Sequence, residues 1–266
     1  MKRISLYLLV GLLAAACATS PTGRHQLMLV SEAQAINASK TAYAQTLQPL
    51  EEEGKVNNNP ALVKRVTAIT EKLVAQAVRM RPETQNWAWS IKVIDDPETI
   101  NAWCMAGGKM AIYTGLIEGL PATDDEIAQV MGHEIAHALA NHQAEQMSVA
   151  LATTVGVVAA GAMSDRPGLT ITAASAAAAL AIKLPNSRTA ESEADRIGIE
   201  LAAKAGYDPH AAVTLWQKMG KQGGGQPPEF LSTHPSPANR EKTLQGLVPQ
   251  MLPYYQSKEP RPVFNL

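Results

Sequence analysis

The chain has 266 residues, enough for one substantial domain or two small ones. Hydrophobic residues make up 46% and charged residues 18%, a globular balance, and the formal net charge is −1. With no long basic run, that balance argues against nucleic acid as a partner. Aromatics are scarce at 5%, so the core has to be built mostly from Leu, Val, Ile, Met and Ala.

Lys2 and Arg3 form a positive start, Ile4 to Leu13 an apolar run, and Ala14-Ala15-Ala16 leads into Cys17. This reads as a signal peptide of residues 1–16 with a small-residue cleavage site. It resembles a bacterial lipoprotein signal, although a larger aliphatic residue is usual at position 14. The resemblance implies lipidation of Cys17 and a membrane attachment through that lipid. Ala18 behind it resembles the outer-membrane sorting pattern of Gram-negative lipoproteins. The alternative is an ordinary secretory signal with a chance cysteine. The one other cysteine, Cys104, lies in the apolar stretch Trp103-Cys104-Met105 and reads as a buried, inert thiol.

Residues 17–30 carry Pro21 and Gly23 and read as a tether, with His25 a solvated linker residue. Residues 31–250 are expected to form one domain, and 251–266 a C-terminal tail. Residues 31–50 have helical character. Asn59-Pro60 starts a helix, with Asn as cap and Pro at its first position. Leu62, Val66, Ile69, Leu73, Ala77 and Met80 recur at three and four, giving it one buried face, and Arg81-Pro82 stops it. Trp87, Trp89, Ile91 and Val93 alternate as in a half-buried strand. Asp95-Asp96-Pro97 is a turn, and a second strand covers Lys109 to Tyr113, entered through Gly107-Gly108.

Thr123-Asp124-Asp125-Glu126 reads as a capping box, so a helix begins near Asp124 and is expected to run past His142. It carries His133-Glu134-Ile135-Ala136-His137. Two imidazoles four apart project from one helix face and can reach one zinc ion. The glutamate beside the first histidine then stands where a general base for water is wanted. His142 falls about 180° from His133 on the helix wheel and reads as a surface residue.

Two Ala-rich runs, Ser148–Met163 and Leu169–Leu184, flank a turn at Asp165-Arg166-Pro167-Gly168. Each is about 16 residues, shorter than the roughly 20 needed to span a bilayer. They read as two helices packed on the domain or lying near a membrane surface.

Two histidines leave zinc underligated, since a catalytic site has three protein ligands plus water. The helix from Ser187 to about Gly206 offers Glu191, Glu193 and Asp195. Glu191 and Asp195 share a face, and like charges so placed repel unless something positive lies beside them. Glu193 reads as a solvated helix charge.

The segment His133–His137 together with Glu191-Ser192-Glu193-Ala194-Asp195 resembles the HtpX and CAAX-prenyl-protease family of zinc metallopeptidases. The likeness is strongest to its periplasmic lipoprotein and BepA-like branch and to its mitochondrial stress proteases. It covers roughly residues 60–245, with support from Asn101-Ala102, Gly107-Gly108-Lys109 through Leu116, and Thr233-His234-Pro235 with Arg240. The resemblance implies an α+β, predominantly helical zincin domain of the gluzincin type and one Zn2+ per chain. It assigns His133, His137 and Glu191 as ligands. Asp195 would orient a ligand histidine, with Arg188 and Arg240 beside it. Glu134 would be the general base, and His234 either a transition-state donor or a fourth ligand that restrains activity. The long transmembrane helices of HtpX are not found, nor tetratricopeptide repeats after residue 210.

The strand Gly108, Lys109, Met110, Ala111, Ile112, Tyr113 is expected at a sheet edge above the zinc helix, where an extended substrate adds as a further strand. These features imply a zinc endopeptidase of the bacterial envelope acting on extended or misfolded proteins, with outer-membrane proteins as possible partners. The alternative is a non-proteolytic chaperone or outer-membrane assembly factor on a peptidase fold. Gly223-Gly224-Gly225 with Pro227-Pro228 reads as a movable lid or an idle surface loop.

Overall fold

The computed structural model describes residues 17–162, 187–222, 228–234 and 239–266. The expected signal peptide, the Asp165–Gly168 turn, the Leu169–Leu184 run, Gly223–Gly225 and Pro235 lie outside the described residues. In chain order the elements are β1 (Cys17–Thr19), β2 (His25–Leu27), α1 (Glu32–Glu52), α2 (Pro60–Met80), a 3-10 turn (Pro82–Asn86), β3 (Ser90–Ile94), β4 (Ala102–Met105) and β5 (Lys109–Tyr113). A π turn (Gly115–Gly119) follows, then α3 (Asp124–Leu139), α4 (His142–Ala162), α5 (Arg188–Ala205), α6 (Ala211–Lys221), α7 (Glu229–Thr233) and α8 (Arg240–Tyr255). The fold is mostly helical with small sheets, as expected. Among the described residues no helix is long and apolar enough to cross a membrane.

The chain divides into two compact units, Met1–Ala35 with Asn141–Leu184, and Ile36–Ala140 with Pro185–Leu266. In the first, the expected tether is a hairpin of β1 and β2, with Cys17 opposite Leu27. Its stability comes from distant residues. Arg24 makes two bonds to Glu145 at 2.7 and 2.6 Å, Gln26 adds one at 2.8 Å, and Val30 N–H reaches Ser148 Oγ at 2.9 Å. His25 is exposed, as read from the sequence.

The second unit holds the main core. Asn59 Oδ1 accepts from Ala61 and Leu62 N–H, which fixes the start of α2 as its Asn-Pro signature predicts. Val66, Ile69, Leu73 and Ala77 then pack with Met110 and Ile112 of β5, Ile127, Met131 and Ile135 of α3, and Ile197 and Leu201 of α5. The C-terminal residues belong to this unit too. Residues 251–255 continue α8, Arg261 bonds the Tyr255 carbonyl, and Phe264 N–H donates to Glu71 O at 3.1 Å.

The sheet corrects one expectation. Its order is β3-β5-β4, so Lys109–Tyr113 is the central strand rather than the edge. β3 pairs with it in parallel and β4 antiparallel, so the main chain from Lys109 to Tyr113 is engaged on both sides. Strand β4 was the hidden element: its four residues, burial alternating, are too few to show a period in sequence. Gly107 and Gly108, at φ 84° and 80°, make the tight turn from β4 to β5.

Helix α3 begins at Asp124 with the predicted capping box, Thr123 Oγ1 accepting from Glu126 N–H while Glu126 closes on Thr123 N–H. It stops at Leu139 instead of running past His142, because Asn141 takes a left-handed φ of 55°. His142 therefore starts a new helix and is buried, not a surface residue.

Candidate metal centre

Helices α3 and α5 build the centre. They approach so closely that a Cβ on Gly132 would lie 2.8 Å from the Gly198 carbonyl, and one on Gly198 would lie 2.7 Å from His133 N. The two glycines set the crossing; the sequence places Gly198 on the apolar stripe of its helix but does not say what that stripe meets. What could have exposed them is position: both sit inside helices, where glycine costs stability unless two backbones meet.

The crossing brings Glu191 to the two histidines. His133 Nε2 and His137 Nε2 are 3.0 Å apart. Glu191 places one oxygen 3.3 Å from His137 Nε2 and the other 3.5 Å from His133 Nε2. His234, at the end of α7, adds Nδ1 at 3.3 Å from His133 Nε2 and 3.1 Å from Glu191. The four donor atoms lie within 4.8 Å of one another, and all four residues are buried.

These spacings suit one small cation. Ligands held about 2.0–2.1 Å from a tetrahedral zinc stand roughly 3.3–3.4 Å from each other. The separations of His133 Nε2 from His137 (3.0 Å), His234 (3.3 Å) and Glu191 (3.5 Å) bracket that value, and the whole donor set stays within 4.8 Å. Two ring nitrogens facing each other at 3.0 Å also call for a proton or a cation between them.

Partners beyond the donors fix their states. Asp195 Oδ1 lies 3.0 Å from His133 Nδ1, which assigns the proton to Nδ1 and leaves the Nε2 lone pair for the metal. Arg240 donates to Glu191 at 3.0 Å and to Asp195 at 2.5 Å, and its guanidinium lies 3.6 Å over the Trp216 ring. It is the positive group that lets two carboxylates share a buried helix face. Arg188, expected beside them, is exposed at the start of α5 and enters none of the cluster's ion pairs. Its position in the first turn aims it to solvent. Glu193, read as solvated, is buried instead.

Burial opposes charge throughout, yet the histidines hold Glu191 well below the usual carboxylate range. Burial likewise works against a charged His133, but its bonds to Asp195 and Glu191 prevail and raise its pKa to about 9. For Glu134 burial prevails. Burial pushes its carboxyl up, the Glu191 charge adds to the rise, and His234, His133 and the Cys104 N–H only moderate it. Its Oε1 is buried without a hydrogen-bond partner; His234 Nε2 is 3.3 Å away but outside hydrogen-bonding geometry. An orphaned carboxylate oxygen beside four converging donors is a place prepared for water. Cys104 itself is buried, and burial followed by the Glu134 charge pushes its thiol up, which suits the inert role read from the sequence.

Comparison with known proteins places the chain in a family. The model of Peptidase family M48 matches residues 60–248. The mitochondrial metalloendopeptidase OMA1 of Arabidopsis thaliana is 40% identical over 59% of this chain and 31% of its own length. The mitochondrial metalloendopeptidase OMA1 of Bos taurus is 32% identical over 92% of this chain and 50% of its own. The Beta-barrel assembly-enhancing protease of Yersinia pestis is 30% identical over 74% of this chain and 41% of its own. The chain thus spans half or less of the length of these relatives. Peptidases of this family use zinc, and the cluster of His133, His137, Glu191 and His234 could hold one such ion. The matched segment contains all four donors, and the chain belongs to Peptidase family M48.

Proposed function

We propose that the chain is a zinc endopeptidase that cleaves extended or misfolded proteins in the bacterial envelope, attached to the outer membrane through lipid on Cys17. The observation that carries the hydrolytic reading is the orphaned Glu134 oxygen beside the four donors. His133, His137 and Glu191 would hold the ion. When bound, zinc supplies Lewis acidity that acidifies water and polarises a peptide carbonyl.

The chain's own residues supply the rest. Glu134, its affinity for protons raised by burial, takes a proton from the attacking water and passes it to the leaving amine. Asp195 and Arg240 keep His133 and Glu191 in one orientation. His234 closes the resting cluster as a fourth donor and withdraws when substrate enters. Substrate adds to the outer edge of β4, the strand against α3, rather than to the central strand first expected. Main-chain pairing reads little side-chain sequence, which suits unfolded polypeptides as substrates.

The envelope reading draws on the signal-like start of the chain and on the assembly-enhancing relatives. A non-proteolytic chaperone would have no use for Glu134 beside the donors. Glu134→Gln separates the two: casein cleavage should fall at least about 100-fold while one zinc per chain remains by metal analysis. Undiminished cleavage in that variant refutes the mechanism.

A further inference from the structure

The outer edge of β4 is occupied by the chain's own groups. Tyr113 N–H donates to the Asn101 carbonyl at 3.1 Å, so Asn101 turns its main chain inward to β5. Direction alternates along an antiparallel strand, so Ile100, Ala102 and Cys104 turn theirs outward, where a substrate strand would add. Three of these outward groups are held. The Ile100 carbonyl accepts from Phe230 N–H at 3.2 Å. Ala102 N–H donates to Asn101 Oδ1 at 2.9 Å, and Cys104 N–H meets the Glu134 carboxylate.

The first of these holds is joined to the metal centre. Phe230 stacks on His234 with ring centroids 4.5 Å apart and planes at 23°. Its carbonyl also accepts His234 N–H at 2.9 Å, and its ring is buried against Trp216. Phe230 sits in α7 and His234 caps its end; the helix is five residues long and without a side-chain cap at its start. So short a helix has no stability of its own and stays where its neighbours hold it.

We propose that Phe230 is the positioning residue for His234, and that polypeptide seated on β4 releases both. This rests on the reading that β4 receives substrate and His234 closes the cluster. An added strand needs the Ile100 carbonyl as an acceptor and takes it from Phe230. The α7 turn then loses its anchor, and His234 leaves the donor set with the ring it stacks on. The fourth position opens only when a chain long enough to reach both Ile100 and Glu134 is in place. Short peptides that reach only the donors leave the latch shut, which selects for extended polypeptide.

The test uses the full chain carrying Glu134→Gln and loaded with cobalt(II), whose visible bands shift when an imidazole nitrogen is replaced by oxygen. Unfolded casein should shift the bands and speed hydrogen exchange at the Phe230 amide. Phe230→Leu added to that chain should show the shifted bands without casein, and Phe230→Tyr, which keeps the stack, should restore the parent spectrum. Parent bands in Phe230→Leu with a parent response to casein overturn the proposal, as does a Phe230 amide equally protected with and without casein. The exchange result decides if Phe230→Leu loses its cooperative melt. His234→Ala separates the layers. Unchanged bands there sink the fourth-donor reading itself, whereas changed bands beside an unaffected Phe230→Leu sink only the role of Phe230.

Discussion

Three of the four converging donors ride on α3 and α5, and the fourth rides on α7. The first two helices have 16 and 18 residues, each capped by a side chain at its start, and α5 ends on Gly206 in the left-handed conformation. Their crossing at Gly132 and Gly198 leaves no room for adjustment. By contrast, α7 has five residues; outside the donor cluster His234 is held by the Phe230 ring and carbonyl, and Phe230 in turn by one hydrogen bond to the Ile100 carbonyl. The difference teaches how one site can be both preorganised and openable. Donors that must never move are placed on elements with their own stability, and the replaceable one on an element that has none.

The contrast can be broken most severely at Arg240. Arg240→Met leaves Glu191 and Asp195 buried without their cation and should cost about 3–5 kcal/mol in urea unfolding of the metal-free chain. A loss below about 1 kcal/mol would mean that the helix pair does not need it. Next comes the crossing. Gly198→Val drives a side chain against the His133 backbone and should destabilise by about 1–3 kcal/mol while lowering bound zinc per chain. Normal stoichiometry there would make the close approach incidental.

Smaller effects sharpen the same picture. Thr123→Ala removes one half of the capping box and should cost about 1 kcal/mol in thermal melts with zinc stoichiometry unchanged. The smallest effect follows from Glu126. Burial favours its neutral form, but Lys218, the Thr123 N–H and Thr214 prevail and hold its carboxyl below the ordinary 4.5. A depressed carboxylate stabilises the fold above the unfolded pKa and loses that contribution as pH falls through the folded one. The gap between wild type and Glu126→Gln should therefore be present at pH 7, at under about 1 kcal/mol because Lys218 is partly solvated. It should close as the pH drops below 4.5. A gap that widens in acid contradicts the assignment.

Much of the centre could be read in advance because its signals are local. The spacing of His133 and His137 follows from helical pitch, and Thr123 to Glu126 cap the helix through bonds three residues apart. Asn59-Pro60 and Gly206 mark helix ends by backbone preference alone. Asp195 and Arg240, expected beside the ligands from family likeness, do bond the donors. Arg188 shared that expectation, but the turn that carries it faces solvent. The hairpin at Cys17–Leu27 is not legible in the sequence because its partners, Glu145 and Ser148, lie more than a hundred residues away. Glu193 and His142 are buried against expectation for the same reason: charge and helical angle do not say what packs above a residue.

By itself the sequence determined that His133 and His137 could share a metal and where the principal helices start, since both depend on residue type and on separations of a few positions; among Glu191, Glu193 and Asp195 it left the third donor to family likeness. Only the tertiary structure decided that Lys109–Tyr113 lies in the middle of its sheet, that two glycines let α3 and α5 touch, and that Phe230 ties His234 to the edge of β4. Strand order and helix crossings arise from contacts between segments far apart in the chain, and no local pattern of residues encodes which distant surface will be the neighbour.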